Sequence, residues 1–149
     1  MKPYHAFTII ELMVVMAVIL ILAALTYPSY ASHVVKAKRL EGQVALLDIM
    51  QAQERHYTQH HAYQPFSAGA TEPDAQRFKW FSGAAANSSA YEMSAHACPE
   101  QPLSACVELR ATPGTPRVDQ SFRDPDCETL TLRNTGEQGA GGKKARCWP

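Results

Sequence analysis

Residues 6–25 read Ala-Phe-Thr-Ile-Ile-Glu-Leu-Met-Val-Val-Met-Ala-Val-Ile-Leu-Ile-Leu-Ala-Ala-Leu, and the fold turns on how they are read. From Leu12 to Leu25 every side chain is apolar. With Phe7, Ile9 and Ile10 the run reaches the ~20 residues that a helix needs to cross a bilayer. Glu11 is the single charge between Phe7 and Tyr30, and a short basic leader, Met1 to Ala6, precedes the run. An ionised carboxylate within a bilayer costs roughly 2.5–3.5 kcal/mol even on lenient insertion scales. A chain that keeps one there is expected to meet a cation, and the helix itself offers none.

Ala6-Phe7-Thr8-Ile9-Ile10-Glu11-Leu12 resembles the processing site of type IV prepilins, in which a short positive leader and a small residue precede Phe-Thr-Leu-Ile-Glu and an apolar run. The resemblance implies a prepilin peptidase as partner, cleavage between Ala6 and Phe7, and methylation of the new Phe7 amine. It also implies that Glu11, then fifth in the chain, pairs with the terminal amine of a neighbouring subunit. Where that family usually has Gly before the cut, this chain has Ala6. Two other readings explain less. A signal peptide, with Ser29 and Ala31 as small residues, would have a shorter core without an acid. A plain anchor gives no reason for Glu11. Lys36, Lys38 and Arg39 after the run oppose the N-in orientation that the resemblance implies, so charge bias alone does not set topology.

The organisation expected is a leader at 1–6, a transmembrane or filament-core helix half at 7–30, and a domain outside the cytoplasm at 31–149, helical to about residue 62. At 149 residues, with 46% hydrophobic composition and formal charge zero, the chain suits one anchor and one small domain. Without Lys2 it keeps 13 basic against 14 acidic side chains, so no global basic field points to nucleic acid. Pro28 is expected to kink or locally break the helix. Beyond it Val34, Ala37, Leu40, Val44, Leu47 and Met50 recur at spacings of three and four and predict the face that meets the domain. Gly42 reads as a weak spot, about 1 kcal/mol worse than Ala.

Alternation predicts strands at 91–95, 106–111 and 129–133, with turns at Asn134-Thr135-Gly136 and in the glycine-rich run 139–142. The fold class is therefore α+β, with one long helix laid across three or four antiparallel strands. Four cysteines, all beyond the anchor, fit an oxidising compartment and permit three pairings. Cys98 with Cys106 would close a short hairpin-like loop, and Cys127 with Cys147 a longer one. The resemblance agrees, since Asp126-Cys127, Thr-Leu-Thr-Leu, a Gly and Cys147-Trp148 look like a pilin C-terminal segment.

The candidates for chemistry are thin. No Cys-x-x-Cys pair exists, and His56, His60 and His61 lack a third ligand nearby, so no metal and no cofactor are expected. Gly139 to Lys144 fails as a phosphate loop on spacing, with Glu137 and Lys144 in the wrong places. His96, Asp124 and Asp126 make a triad only on paper. Tyr57, Tyr63, Phe66, Phe78, Trp80 and Phe81 are expected to pack the post-helix loop on the sheet, an exposed subset serving adhesion. Arg133, Lys143, Lys144 and Arg146 form a candidate patch for DNA phosphates within a flexible loop.

The conclusion from sequence is a structural subunit, not an enzyme. It is most like a minor pilin, made as an inner-membrane precursor with a periplasmic domain and carried to the cell surface in a pilus. The partners expected are other pilin subunits and extracellular DNA or surfaces, with no small-molecule substrate. Alternatives are a pilin for DNA uptake, a type II secretion pseudopilin and a membrane-tethered enzyme.

Overall fold

The helix starts where the chain supplies a cap. In the computed structural model, which describes residues 8–143 and 146–149 without the side chains of 25–29, α1 runs Ile9–His60. Thr8 stands just before it, and its Oγ1 accepts the Glu11 N–H at 3.4 Å. Thr8-x-x-Glu11 is thus the spacing of a capping box, with an acid at the positive end of the helix dipole. The helix continues through Pro28 without a break, so of the kink or break expected there, the break does not occur. Proline removes one intrahelical bond, and the long apolar and amphipathic runs on either side carry the helix across it. α1 ends at His60, where His61 takes a left-handed conformation (φ 56°) and its N–H reaches Tyr57 O at 2.8 Å. That is an αL cap, two residues short of the expected end.

By contact density the chain divides into two units, Met1–Lys36 and Ala37–Pro149. In the first, the large apolar side chains from Ile9 to Leu22 are at least half exposed. Among the described residues no helix is long and apolar enough to cross a membrane. The span expected over 7–30 includes Phe7 and the side chains of 25–29, which lie outside them.

The second unit holds a sheet of β1 (Tyr91–Ala97), β2 (Val107–Pro113), β3 (Leu130–Arg133) and β4 (Gln138–Ala140) in the order β1-β2-β3-β4, all antiparallel. Met93 lies opposite Ala111, and Leu109 opposite Leu132. Tyr91, Met93, Ala95, Leu109, Ala111, Leu130 and Leu132 share the buried face and pack with Ala45, Leu46 and Ile49 of α1. The free edge of β1 is covered by bridges from Phe66 to Ala95 and Phe81 to Glu92. The opposite edge, β4, is only three residues long. Both devices discourage pairing with a stray strand. Tyr63, Phe66 and Phe78 are buried in the core, and Tyr57 and Trp80 pack against it.

Two expectations about the helix are reversed. Leu40, Val44 and Leu47, predicted to face the domain, are 55%, 56% and 47% exposed. The buried stripe is instead Arg39, Gln43, Leu46, Ile49 and Gln53, also spaced by three and four. Its polar members are tolerated through partners: Arg39 binds Asp124, Gln53 both donates to Gln64 O and accepts its N–H, and Gln43 Nε2 donates to Cys147 O at 2.5 Å, while Gln43 Oε1 is buried without a hydrogen bond among the described residues. The apolar row is left on the outside for another surface.

Gly42 is the second reversal. A Cβ there would lie 2.9 Å from Cδ2 of the fully buried Tyr91 ring, so the glycine admits the ring rather than weakening the helix. Gly42→Ala is expected to destabilise the domain by about 1–3 kcal/mol through overpacking, against the roughly 1 kcal/mol gained in helix propensity. Chemical denaturation checks the sign, and a stabilised variant would refute the packing argument.

The glycine-rich run is likewise not a free loop. Gly139 pairs with Thr131 in β4, and a Cβ there would collide with Thr131 Oγ1. Gly141 and Gly142 continue the ladder, their N–H groups reaching Thr129 O and Cys127 O. Local composition signalled a turn because it carries no record of the cross-strand neighbour.

Candidate functional site

The structure contains the disulfides Cys98–Cys106 and Cys127–Cys147, at sequence separations of 8 and 20. They stand at opposite ends of the sheet. Near the first, Tyr57 OH donates to Ser104 O and Tyr63 N to Leu103 O, at the end where α1 finishes. The second lies at the end where residue 37 brings the chain into the domain, because Arg39 and Gln43 hold it.

That hold is a buried network. Arg39 forks onto Asp124, Nε to Oδ2 at 2.8 Å and a terminal nitrogen to Oδ1 at 2.6 Å. Tyr91 OH adds a bond to Oδ2 at 2.7 Å, and the Cys127 N–H one to Oδ1 at 3.2 Å. Arg39 also lies 3.6 Å from Asp126. Burial pushes the Asp124 carboxyl up, but the Arg39, Tyr91 and Cys127 donors outweigh it and hold it below the usual carboxylate range. Burial pushes the Tyr91 hydroxyl well up, so it stays a donor. One turn of α1, residues 39 and 43, thereby holds the chain on both sides of the Cys127–Cys147 bond.

Within this disulfide-bounded segment the described candidate cations are not gathered together. Arg133, at the far end of β3, donates to Glu108 at 3.0 Å and to Glu137 at 2.6 Å, and Glu108 also takes Arg110 at 2.8 Å. The Arg133 charge is therefore spent inside an ion-pair network on the outer face of the sheet. Lys143 and Arg146 are exposed at the other end of the strand, where Gly142 bonds Cys127, six residues or about 20 Å from Arg133. Neither makes an ion pair among the described residues. Lys144, Ala6 and Phe7 lie outside those residues. Trp148 fastens the terminus, its Nε1 donating to Gly139 O at 2.8 Å.

The remaining candidates fall elsewhere. His96 touches Ser94 on the outer face while Asp124 is buried under α1, so the paper triad does not come together. His56 and His60 stack at 4.1 Å, and among the described residues no group of three metal-ligating side chains occurs. Glu11 is exposed in the first turn of α1. Two contributors were not anticipated: Thr8, whose cap spacing was legible, and Arg39, whose partner 85 residues away was not.

A long N-terminal helix, an antiparallel sheet packed on its second half and a disulfide closing the last strand pair define a type IV pilin. The chain belongs to the family described as type IV minor pilin ComP, DNA uptake sequence receptor, whose model matches residues 28–131. Residues 1–27 match the prokaryotic N-terminal methylation motif. Among solved structures, the non-core minor pilin PilV of Neisseria meningitidis is similar at 19% identity and a TM-score of 0.50, over 78% of this chain and 95% of that one. A type IV pilin of Shewanella oneidensis is similar at 26% identity and a TM-score of 0.47, over 77% of this chain and 98% of that one. No curated protein matches. The chain is a type IV minor pilin, a structural protein of a family whose members are processed by prepilin peptidase and assemble with other pilins.

Proposed function

We propose that this minor pilin takes up DNA, holding duplex phosphates on Lys143, Lys144 and Arg146. The observation that supports it most is the match over residues 28–131 to a family described as a DNA uptake sequence receptor. The three cations lie beyond that span in sequence; Lys143 follows Gly142, whose N–H bonds Cys127 O, and Arg146 precedes Cys147, which Gln43 and the disulfide hold. Lysine and arginine side chains contact duplex phosphates through charge, independent of base sequence. Arg133 is a minor contributor, because Glu108 and Glu137 already balance its charge. The role is structural and adhesive rather than catalytic.

In the same reading the precursor sits in the inner membrane through residues 7–30, with residues 31–149 on the periplasmic side. The peptidase cuts between Ala6 and Phe7 and methylates Phe7, and Glu11 meets that amine of a neighbour during assembly.

Duplex binding measured by fluorescence anisotropy across salt concentrations tests the DNA assignment. K143E/K144E/R146E is expected to weaken binding at least tenfold and to flatten the salt slope by about 0.9 for each phosphate that is no longer neutralised. Arg133→Gln should stay within about twofold, its charge being spent on surface ion pairs. Unchanged binding by the triple variant would remove the patch, and no duplex binding by the unaltered protein would remove DNA uptake.

A further inference from the structure

A zinc site takes three or four protein ligands, and His56 and His60 have no third among the described residues. Copper(II) asks less of a protein. It accepts nitrogen and oxygen donors in a tetragonal arrangement and stands at the top of the affinity order for divalent first-row ions. Two imidazoles in neighbouring positions, with water in the others, are enough to hold it.

The pair is placed for this. Residues 56 and 60 are four apart in the last turns of α1 and so share one helix face. Their rings stand side by side, centroids 4.1 Å apart and planes 13° from parallel. His60 Nδ1 lies 3.1 Å from His56 O. A carbonyl only accepts, so Nδ1 carries the proton and the lone pair is left on Nε2. A ring N–H on a backbone carbonyl is the device that orients most metal-binding histidines. Phe78 supports the other ring, its centroid 6.1 Å from that of His56 in an edge-on contact.

The surroundings do not oppose a cation. His60 is the last residue of α1, where the helix dipole is negative. Asp74 and Arg77, whose charges both reach His56, lie 3.8 Å from each other and largely cancel. His60 is exposed and His56 half-buried, so an ion has access from solvent. Two disulfides fit an oxidising compartment, in which copper is held in its divalent state.

We infer that Nε2 of His60 and a ring nitrogen of His56 together chelate a copper(II) ion at the C-terminal end of α1, with water in its remaining positions. Two nitrogens each about 2 Å from one ion stand about 3 Å apart, so the rings tilt toward one another as it binds. The second imidazole acts as a tethered ligand, and its high effective concentration sets the pair above any single histidine of the chain. The inference is independent of DNA uptake. Tyr57, next to His56, reaches Ser104 near the Cys98–Cys106 disulfide, whereas Lys143 and Arg146 stand by the other one.

The test uses the full chain in detergent micelles at neutral pH with copper sulfate as the probe. Free histidine nitrogens are modified with diethyl pyrocarbonate and read residue by residue by mass spectrometry, with His33 and His96, both exposed, as internal controls. Labelling of His56 and His60 is expected to fall together, at copper concentrations about tenfold lower than any that protect the controls, and to return when a chelator is added. In His60→Gln, protection of His56 should require at least about tenfold more copper. His60 is exposed and bonds only the carbonyl one turn back in its own helix, so the variant is expected to melt as the parent does. Labelling of His56 and His60 unchanged by copper overturns the site. Protection of all four histidines over one concentration range also overturns it and leaves an adventitious ion only. Protection of His56 that survives unaltered in His60→Gln overturns the chelate and assigns the ion to His56 without its neighbour.

Discussion

Replacing Arg39 by methionine is expected to lower the stability of the domain by about 3–5 kcal/mol, the usual result of stripping one partner from a buried ion pair. Asp124 is only 3% exposed and would keep its charge with no cation nearby. The double variant Arg39→Met/Asp124→Leu should recover much of the loss, because it removes the stranded charge rather than exposing it. Calorimetric melting of the three proteins decides between these outcomes. Equal losses in the single and double variants would mean that Arg39 matters for packing alone.

The pH dependence gives an independent sign. In the unaltered protein the Asp124 carboxyl titrates below its unfolded value of about 3.9. Its contribution is therefore fully present above that value and is lost as pH falls through the folded one. Glu108, held low by Arg110 and Arg133 against the upward push of burial, adds to the same acid limb. In Arg39→Met only the upward push of burial and two neutral donors remain for Asp124. The variant should therefore lose stability as pH rises past the unfolded value. Melting temperatures from about pH 3 to 7 should fall toward acid in the parent and flatten or reverse in the variant. Parallel profiles would exclude Asp124 as the titrating group.

Glu11→Gln should strip the protein from filaments as completely as Glu11→Ala, with insertion and cleavage intact. The comparison is needed because Thr8 and Glu11 stand in capping-box register, and Gln serves that register as Glu does. If the role of Glu11 were to begin the helix, glutamine would rescue it. If the role is to neutralise an amine from another subunit, glutamine fails, because an ion in lipid needs its counter-charge. Quantifying the protein in sheared pili against the membrane fraction separates the two, and normal incorporation of Glu11→Gln would remove the pairing argument.

The outward row Leu40, Val44 and Leu47 shows where a pattern read from sequence misleads. Spacing correctly announced an amphipathic helix but assigned its apolar stripe to the wrong neighbour. The stripe that meets the sheet is built from Arg39, Gln43 and Gln53, whose burial is paid for by partners remote in sequence: Asp124, Cys147 and Gln64. Arg133 is a related case. Arg133 looked free beside Lys143 until the strand register placed it opposite Glu108.

Sequence by itself determined the features that depend on near neighbours and on solvent. These are the apolar run with its lone acid and three of the four strands, each of which follows from a period or a hydropathy contrast that neighbouring residues carry alone. The processing motif at 6–12 and the class of protein were legible through their resemblance to type IV prepilins. Only the tertiary structure decided which helix face is buried, why Gly42 and Gly139 are glycines, that the last glycines form a strand, and which cations remain free. Several of those outcomes depend on pairs 25 to 104 residues apart, such as Arg133 with Glu108 and Gln43 with Cys147. Desolvation and hydrogen bonding at such contacts outweigh local preference, and no local window of sequence contains both partners.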